Sequence, residues 1–431
     1  MNRQKLTAGL IAGLAVFSAL APTTHADPPA GSGWDLNPDV IIGGGSDTTW
    51  LVSLRLEQLY NSAPGCAVVT SGTSANKGKC SDVPGVGTPS APTGPITGNY
   101  DHDLFVSAAP TGSGAGKGAL SGLSGQTQYN PAIDYARSSS GPGTGEAALL
   151  TFWGYARDAI AVTTFGTRSG YQLTKQNLAD IYSCNVTRWE NLTDSNNVNL
   201  GLAPGDIIPW DMNTSSGTRS TFTGYLTGTT FGACVRKLTS GTAPLENDVK
   251  PILADAGTDG TVGTADDNAN NYIWWMSFGT WSTYPYAKNG IDAGQGLTQG
   301  NAVKSNLVAL PDTNGAFALP SASATNTGTY AILRTLFQVT RNGDADCRQT
   351  AASAGTCDNV DNNIYGATSG KAGAVRQFTQ FLCSTTNLQM GTNPFTGRGY
   401  RSEVISALNA EGFQQVPAAL RTAGYSCAVN T

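Results

Sequence analysis

Histidine is almost missing from this chain: among 431 residues only His25 and His102 carry an imidazole. His25 falls within an expected leader segment, which leaves His102 alone in the mature chain. No two of the eight cysteines form a C-x-x-C pair. These two scarcities argue against a zinc or dithiol-redox site and leave a Ser-His-Asp hydrolase with one imidazole to use. Charge is also sparse, at 13% of residues, with no Lys/Arg cluster, so neither nucleic acid nor an anionic membrane is an expected partner. After the first residues no apolar run is long enough to span a bilayer, which takes about 20 residues.

The leader is itself informative. Arg3 and Lys5 form a basic start, Leu6 to Ala21 is apolar, and Thr24-His25-Ala26 resembles an A-x-A cleavage site. Residues 1–26 therefore read as a signal peptide cleaved near Ala26. No cysteine lies at that site, so a lipid anchor is not expected, and the mature chain is expected to be periplasmic, at the cell surface or secreted. Loss of Arg3 and Lys5 takes the formal charge from −5 to −7. In an exported chain an even cysteine count favours disulfides. Adjacent pairing would join Cys66 to Cys80, Cys184 to Cys234, Cys347 to Cys357 and Cys383 to Cys427, with connectivity left open.

Strands and helices alternate along the sequence, which argues an α/β fold. Val40-Ile41-Ile42 runs into Gly43-Gly44-Gly45, followed by helical spacing from Thr48 to Tyr60. Residues 61–131, rich in Gly, Pro, Ser and Thr, read as a long excursion containing one strand near Phe105. Strands are expected at 133–136, 148–152, 159–163, 207–210 and 331–339, and 272–278 is strongly aromatic and apolar. Helices are expected at 173–182 with Thr174 as N-cap, and at 221–226, 372–382 and 403–410.

Three hydroxyl-rich runs each follow a strand: Ser46-Asp47-Thr48-Thr49, Arg137-Ser138-Ser139, and Ser215-Ser216-Gly217-Thr218-Arg219. A Ser-Gly-Thr run opening a helix aims O–H groups, N–H groups and the positive end of the helix dipole at one point, which suits a small oxyanion. Gly217 lets the backbone approach closely, and Arg137 and Arg219 offer bidentate charge. An ordinary N-cap is the plainer reading of Ser216. Asp47 either caps the helix after it or accepts the proton that hydrogen phosphate carries and sulfate lacks; Asp134 and Asp211 are weaker candidates for that task and could each pair with an arginine.

The set of motifs, namely Gly-Ser-Asp-Thr-Thr at 45–49, Asp-Tyr-Ala-Arg-Ser-Ser-Ser at 134–140, the Leu173 to Leu192 stretch and Ser-Gly-Thr-Arg-Ser-Thr-Phe at 216–222, resembles the phosphate-binding proteins of bacterial ABC importers, particularly their actinobacterial branch. The resemblance implies a two-lobed periplasmic binding protein fold of type II with a ligand cleft between the lobes. Residues 38–160 plus 328–431 would form one lobe and 161–327 the other. It further implies a monomeric, non-enzymatic protein that captures inorganic phosphate, needs no cofactor or metal, and delivers to a membrane permease. By position, Ser46, Asp47, Thr48 and Thr49, then Arg137, Ser138 and Ser139, then Ser215, Ser216, Gly217, Thr218 and Arg219 would hold the anion. The family's usual Arg before the Ser-Gly-Thr is replaced here by Asp211-Met212-Asn213, and its Asp in the second loop by Ser139. A secreted phosphate-ester hydrolase, or a surface protein with this fold and another ligand, are the alternatives.

Other signals are weaker. Asp255, Asp259, Asp266, Asp267 and Asn268 offer oxygen ligands for calcium but do not follow EF-hand spacing, and a solvated loop is the plainer reading. Ser74 to Lys77 matches S-x-x-K without a K-T-G. Gly112 to Gly118 fails the P-loop pattern, with Thr111 at the first glycine position and Gly118 in place of the Ser/Thr after Lys117. The aromatic run from Tyr272 to Tyr286 suits a core better than a sugar platform.

Overall fold

A computed structural model of the protein describes residues 40–61, 104–107, 112–121, 133–246, 249–255, 257, 259, 261, 268–283, 305–341, 375, 378–379, 381–383, 396–422 and 426–429. The signal segment, Cys66–Cys80, Cys347–Cys357, Ser74, Lys77, His102, Asp266 and Asp267 lie outside them. Among the described residues no helix is long and apolar enough to cross a membrane.

The chain opens with β1 (Val40–Gly45), α1 (Trp50–Asn61), β2 (Leu104–Ser107), α2 (Ser113–Ser121) and β3 (Tyr135–Ser138). Both β2 and β3 pair with β1 in parallel, which places the ends of β1 and β3, and the hydroxyl runs after them, side by side. The 61–131 segment is thus more than a peripheral excursion, since it supplies a sheet strand and a buried helix.

The two strands expected at 148–152 and 159–163 are one continuous strand, β4 (Leu150–Phe165). Gly154 sits in its interior, and extended pairing on both edges overrides any local tendency to break there. β4 then leads to α3 (Lys175–Tyr182), β5 (Ile208–Pro209), α4 (Gly217–Tyr225), β6 (Tyr272–Ser277), β7 (Ser305–Leu307), a small hairpin of β8 (Leu310–Pro311) and β9 (Phe317–Ala318), β10 (Leu333–Arg341), β11 (Gln414–Gln415) and β12 (Ala428–Val429). The sheet order is β2-β1-β3-β10-β4-β6-β5, with β7, β11 and β12 also on β4. The first part of β4 pairs with β10, from Leu150 opposite Arg341 to Ala159 opposite Leu333, and its last part with β6, from Ile160 to Thr164.

Two hydrophobic clusters flank this change of partner. One joins Val52, Leu56 and Tyr60 of α1 to Phe378, Phe381, Tyr400 and Val404. The other joins Leu178, Ile181 and Tyr182 of α3 to Trp189, Trp210, Phe222, Trp274 and Trp275. The aromatic run at 272–276 is therefore core, with the Trp275 ring stacked on Phe222 at 4.2 Å between centroids. Thr174 caps α3 as expected: its hydroxyl accepts from Asn177 N at 3.1 Å while Asn177 Oδ1 accepts from Thr174 N at 2.9 Å, a reciprocal capping box. Two disulfides fall on the adjacent pairs expected, Cys184–Cys234 and Cys383–Cys427.

Candidate functional site

β1 ends at Gly45, whose φ of +114° and whose distance of 2.4 Å from a built Cβ to Arg137 O leave room only for glycine. The chain then turns through Ser46 to Thr49 into α1, held by Ser46 N donating to Arg137 O at 3.0 Å. Beside it, the end of β3 places Ser139 so that its N–H donates to Ser113 Oγ at 2.9 Å at the start of α2. A third element faces these two. Gly114 N donates to Ser215 O at 2.9 Å, and a Cβ on Gly217 would lie 2.4 Å from Ser139 Oγ and 2.5 Å from Ser113 Oγ. Glycine at 217 is what lets the start of α4 close against the other two loops.

The donors of the first loop and of the start of α4 converge on one carboxylate, that of Glu246, which is 1% exposed. Its Oε1 accepts from Ser46 Oγ at 3.1 Å, Thr48 N at 3.0 Å and Thr48 Oγ1 at 2.8 Å. Its Oε2 accepts from Ser216 Oγ and from Thr218 N at 3.2 Å. Ser216 Oγ also accepts from Arg219 N at 3.1 Å; the hydroxyl is a helix cap and an anion donor at once, because its lone pair and its proton serve different partners. Burial works to raise the Glu246 pKa, but the charge of Arg334 and the hydrogen bonds from Ser216, Thr48 and Thr218 outweigh it and hold the carboxyl below its ordinary value.

Arg334 forms the floor. Its Nη2 and Nε donate to Asp158 Oδ2 at 2.7 and 2.9 Å, across a directly opposed pair on β10 and β4. Nη2 also donates to Thr48 Oγ1 at 3.1 Å and Nη1 to Thr218 Oγ1 at 2.5 Å, so one guanidinium reaches both sides of the cradle. Asp158 in turn accepts from Gly279 N at 3.1 Å. A cavity of about 320 Å³ lined by Arg334, Arg157, Thr221, Ser140 and Phe337 opens beside this pair.

Of the residues singled out in the sequence, Ser46, Thr48, Ser139, Ser216, Gly217 and Thr218 are brought together. Thr49 is buried at the entry to α1, and Ser53 N donates to its carbonyl. Asp47 is partly buried and its carbonyl accepts from Trp50 N at 3.0 Å. Arg137 is 1% exposed and donates to the carbonyls of Gly43 at 2.7 Å and Ser46 at 3.4 Å, bracing the first loop. Ser138 Oγ donates to Ser140 O at 2.7 Å. Ser215 shapes the turn before α4, its N–H donating to Asn213 Oδ1 at 2.8 Å. Arg219 points to Asp211 at 2.8 Å and lies over the Phe231 ring. Asp134 Oδ2 accepts from Ile42 N at 2.7 Å, tying β1 to the approach of β3. Lys117 pairs with Glu146 at 2.8 Å. Asp255 is committed to Thr239, accepting from its N–H at 2.6 Å and its hydroxyl at 2.8 Å. Among the described residues no group of three or more His, Cys, Asp or Glu is placed to hold a metal.

Glu246, Arg334, Asp158 and Ser113 were not marked by the sequence motifs. A signal existed for two of them: Arg334 and Asp158 are charges beside the apolar residues of central strands, and a charge buried there needs a partner. Glu246 sits in a loop with no local pattern, and Ser113 in a glycine-rich run that fails the P-loop test.

One family model, described as the PBP superfamily domain, matches residues 101–385. No curated protein matches the chain. Among solved structures, a Clostridium perfringens protein assigned as a phosphate ABC transporter substrate-binding protein, solved with phosphate bound, is 14% identical with a TM-score of 0.47; the match covers 88% of this chain and 99% of that one. An ABC-type phosphate transport receptor from Vibrio cholerae is 15% identical with a TM-score of 0.39, covering 73% and 91% of the two chains. A phosphate binding protein from Stenotrophomonas maltophilia is 18% identical with a TM-score of 0.38, covering 87% and 90%.

Proposed function

The chain belongs to the PBP superfamily domain family, and from that premise we propose that it is an exported solute-binding protein that captures inorganic phosphate in the cradle of Ser46, Thr48, Ser216 and Thr218. One observation carries the reading: the cradle satisfies a buried, ionised carboxylate with three hydroxyls and two backbone N–H groups over an arginine. Fixed neutral donors of this kind replace the hydration shell of an oxyanion without bringing a full set of counter-charges into the interior. Phosphate presents tetrahedral oxygens to the same donors, and binding is noncovalent.

The lobes of the proposal are residues 38–160 with 328–431, and 161–327. The two hydrophobic clusters support this division, and β4 and β10 cross side by side where Ile160 N donates to Ile332 O at 2.9 Å. Ser46 and Thr48 then belong to the first lobe and Ser216 and Thr218 to the second, so an anion held by both favours closure about that crossing. A membrane permease is the proposed recipient. Asp47, flanked by two cradle residues, is proposed to accept the proton that hydrogen phosphate carries, and so to reject sulfate.

The test is calorimetry on protein unfolded, stripped of phosphate and refolded. Phosphate should bind one to one, sulfate should not compete, and Asp47→Asn should narrow the gap between them. Equal heats from phosphate and sulfate in the unaltered protein would remove the specificity claimed for Asp47.

A further inference from the structure

We infer that Glu246 is an internal competitor for the anion cradle, a tethered carboxylate that bridges its two sides and must leave before a free anion can use the same donors. The identity of the competing anion rests on the phosphate reading; the bridging by Glu246 does not.

A serine or threonine hydroxyl has one proton to give and a backbone N–H has one. The protons at Thr48 N, Thr48 Oγ1, Ser216 Oγ and Thr218 N that would hold a bound anion are aimed at the Glu246 oxygens. Ser46 Oγ lies 3.1 Å from Glu246 Oε1 and equally from Ser139 Oγ, so it too has one proton to divide. A phosphate entering beside Glu246 would find these donors engaged.

Charge points the same way. Beside the cradle two buried carboxylates, Glu246 and Asp158, face the Arg334 guanidinium, while the buried Arg137 guanidinium is committed to the carbonyls of Gly43 and Ser46. A phosphate dianion added with Glu246 in place would face two negative groups in a medium that screens poorly. Exchange of Glu246 for phosphate keeps the donors satisfied and changes the local charge least.

The two oxygens of the carboxylate are divided between the sides. Oε1 takes the donors of residues 46 and 48, and Oε2 those of residues 216 and 218. Glu246 therefore does to the cleft what a bound anion would do. It favours the closed arrangement without ligand and lowers the apparent affinity for ligand by the fraction of molecules in which the cradle is free. The stretch leading to it is anchored where Asn213 N donates to Pro244 O at 2.9 Å, so an expelled carboxylate stays close enough to return and displace the anion.

The experiment compares unaltered protein with Glu246→Gln and Glu246→Ala, each unfolded, stripped, refolded and checked by circular dichroism, using X-ray scattering and calorimetry with inorganic phosphate. Without phosphate, the unaltered protein should be compact and the variants expanded. Phosphate should compact the variants, with apparent affinity raised roughly tenfold or more. Variants as compact as the unaltered protein in the absence of phosphate would overturn the inference, as would variants that bind phosphate more weakly than it does. Expanded variants that give no heat with phosphate would uphold the bridging role and remove the phosphate reading. Glu246→Gln keeps the side-chain volume, so the comparison stands even if the alanine variant does not fold.

Discussion

Arg334 and Arg219 are both guanidiniums paired to an aspartate near the same cradle, and they do different work. Arg334 is buried, opposed across the sheet by Asp158, and donates to a threonine on each side. Arg219 follows the Ser-Gly-Thr run directly but turns outward, with a quarter of its side chain exposed, to Asp211 and the Phe231 ring. Being adjacent in sequence to the binding motif placed Arg219 one residue past the donors, where the helix carries its side chain away. Being opposite a carboxylate on two central strands placed Arg334 under the donors. Position in the fold, and not distance along the chain, decides which charge an anion meets.

The sharpest way to break the comparison is to remove the buried charge. Arg334→Met leaves Asp158 buried with no counter-charge and should cost about 3–5 kcal/mol of stability, read as a shifted urea midpoint at unchanged slope. Phosphate affinity should fall by roughly a hundredfold in calorimetry, about 2.7 kcal/mol. If Asp158→Asn is added, stability should partly return while affinity does not.

Gly217→Ala tests whether close approach matters as much as charge. Its Cβ would press on Ser139 Oγ and Ser113 Oγ at 2.4 and 2.5 Å, so one side of the cradle must back away. A loss of about 1–3 kcal/mol is expected, with weakened phosphate binding. Thr48→Val removes, at nearly constant volume, the hydroxyl that donates to Glu246 Oε1 at 2.8 Å, and should weaken binding by roughly tenfold, the scale of one hydrogen bond to a charged group.

The pH dependence separates the carboxylate from its neighbours. The Glu246 carboxyl is held below its ordinary value in the fold. Its contribution to stability is therefore complete above the ordinary carboxylate pKa and lost as pH falls through the depressed, folded value. Thermal melting from neutral to acidic pH should show the unaltered protein losing stability over that window and Glu246→Gln losing less. A constant gap between the two would deny the depressed pKa. Smallest of all, Arg219→Ala should shift stability by no more than about 1 kcal/mol, since its pair with Asp211 is partly exposed, and should leave phosphate affinity within roughly twofold. A large loss of affinity there would erase the distinction between the two arginines.

Much of this was legible in the sequence, for physical reasons that differ by element. The cap at Thr174 was readable because a capping box is a local contract between residues 174 and 177. The burial of Trp274 and Trp275 was readable because large aromatics gathered in one short run have few other places to go. The hydroxyl loops were readable because a strand ending in Gly45, or a helix opening at Ser216, needs those residue types locally. β4 looks like two strands in the sequence because Gly154 and the charges at 157 and 158 interrupt its apolar pattern, while the pairings that hold it together come from residues 333–341 and 428–429, far away in the chain. Glu246 and Arg334 belong to the same class as β4: their roles arise from contacts across 28 to 286 residues, and no window of sequence contains them.

The most direct test of the central claim is a phosphate titration by calorimetry of stripped and refolded protein, run on the unaltered chain and on Glu246→Gln side by side. Saturable one-to-one binding is expected in both, tighter in the variant, and lost when Thr48→Val and Ser216→Ala are combined, since these remove a hydroxyl donor on each side. No saturable heat with phosphate in either protein would contradict the claim that this cradle is a phosphate site.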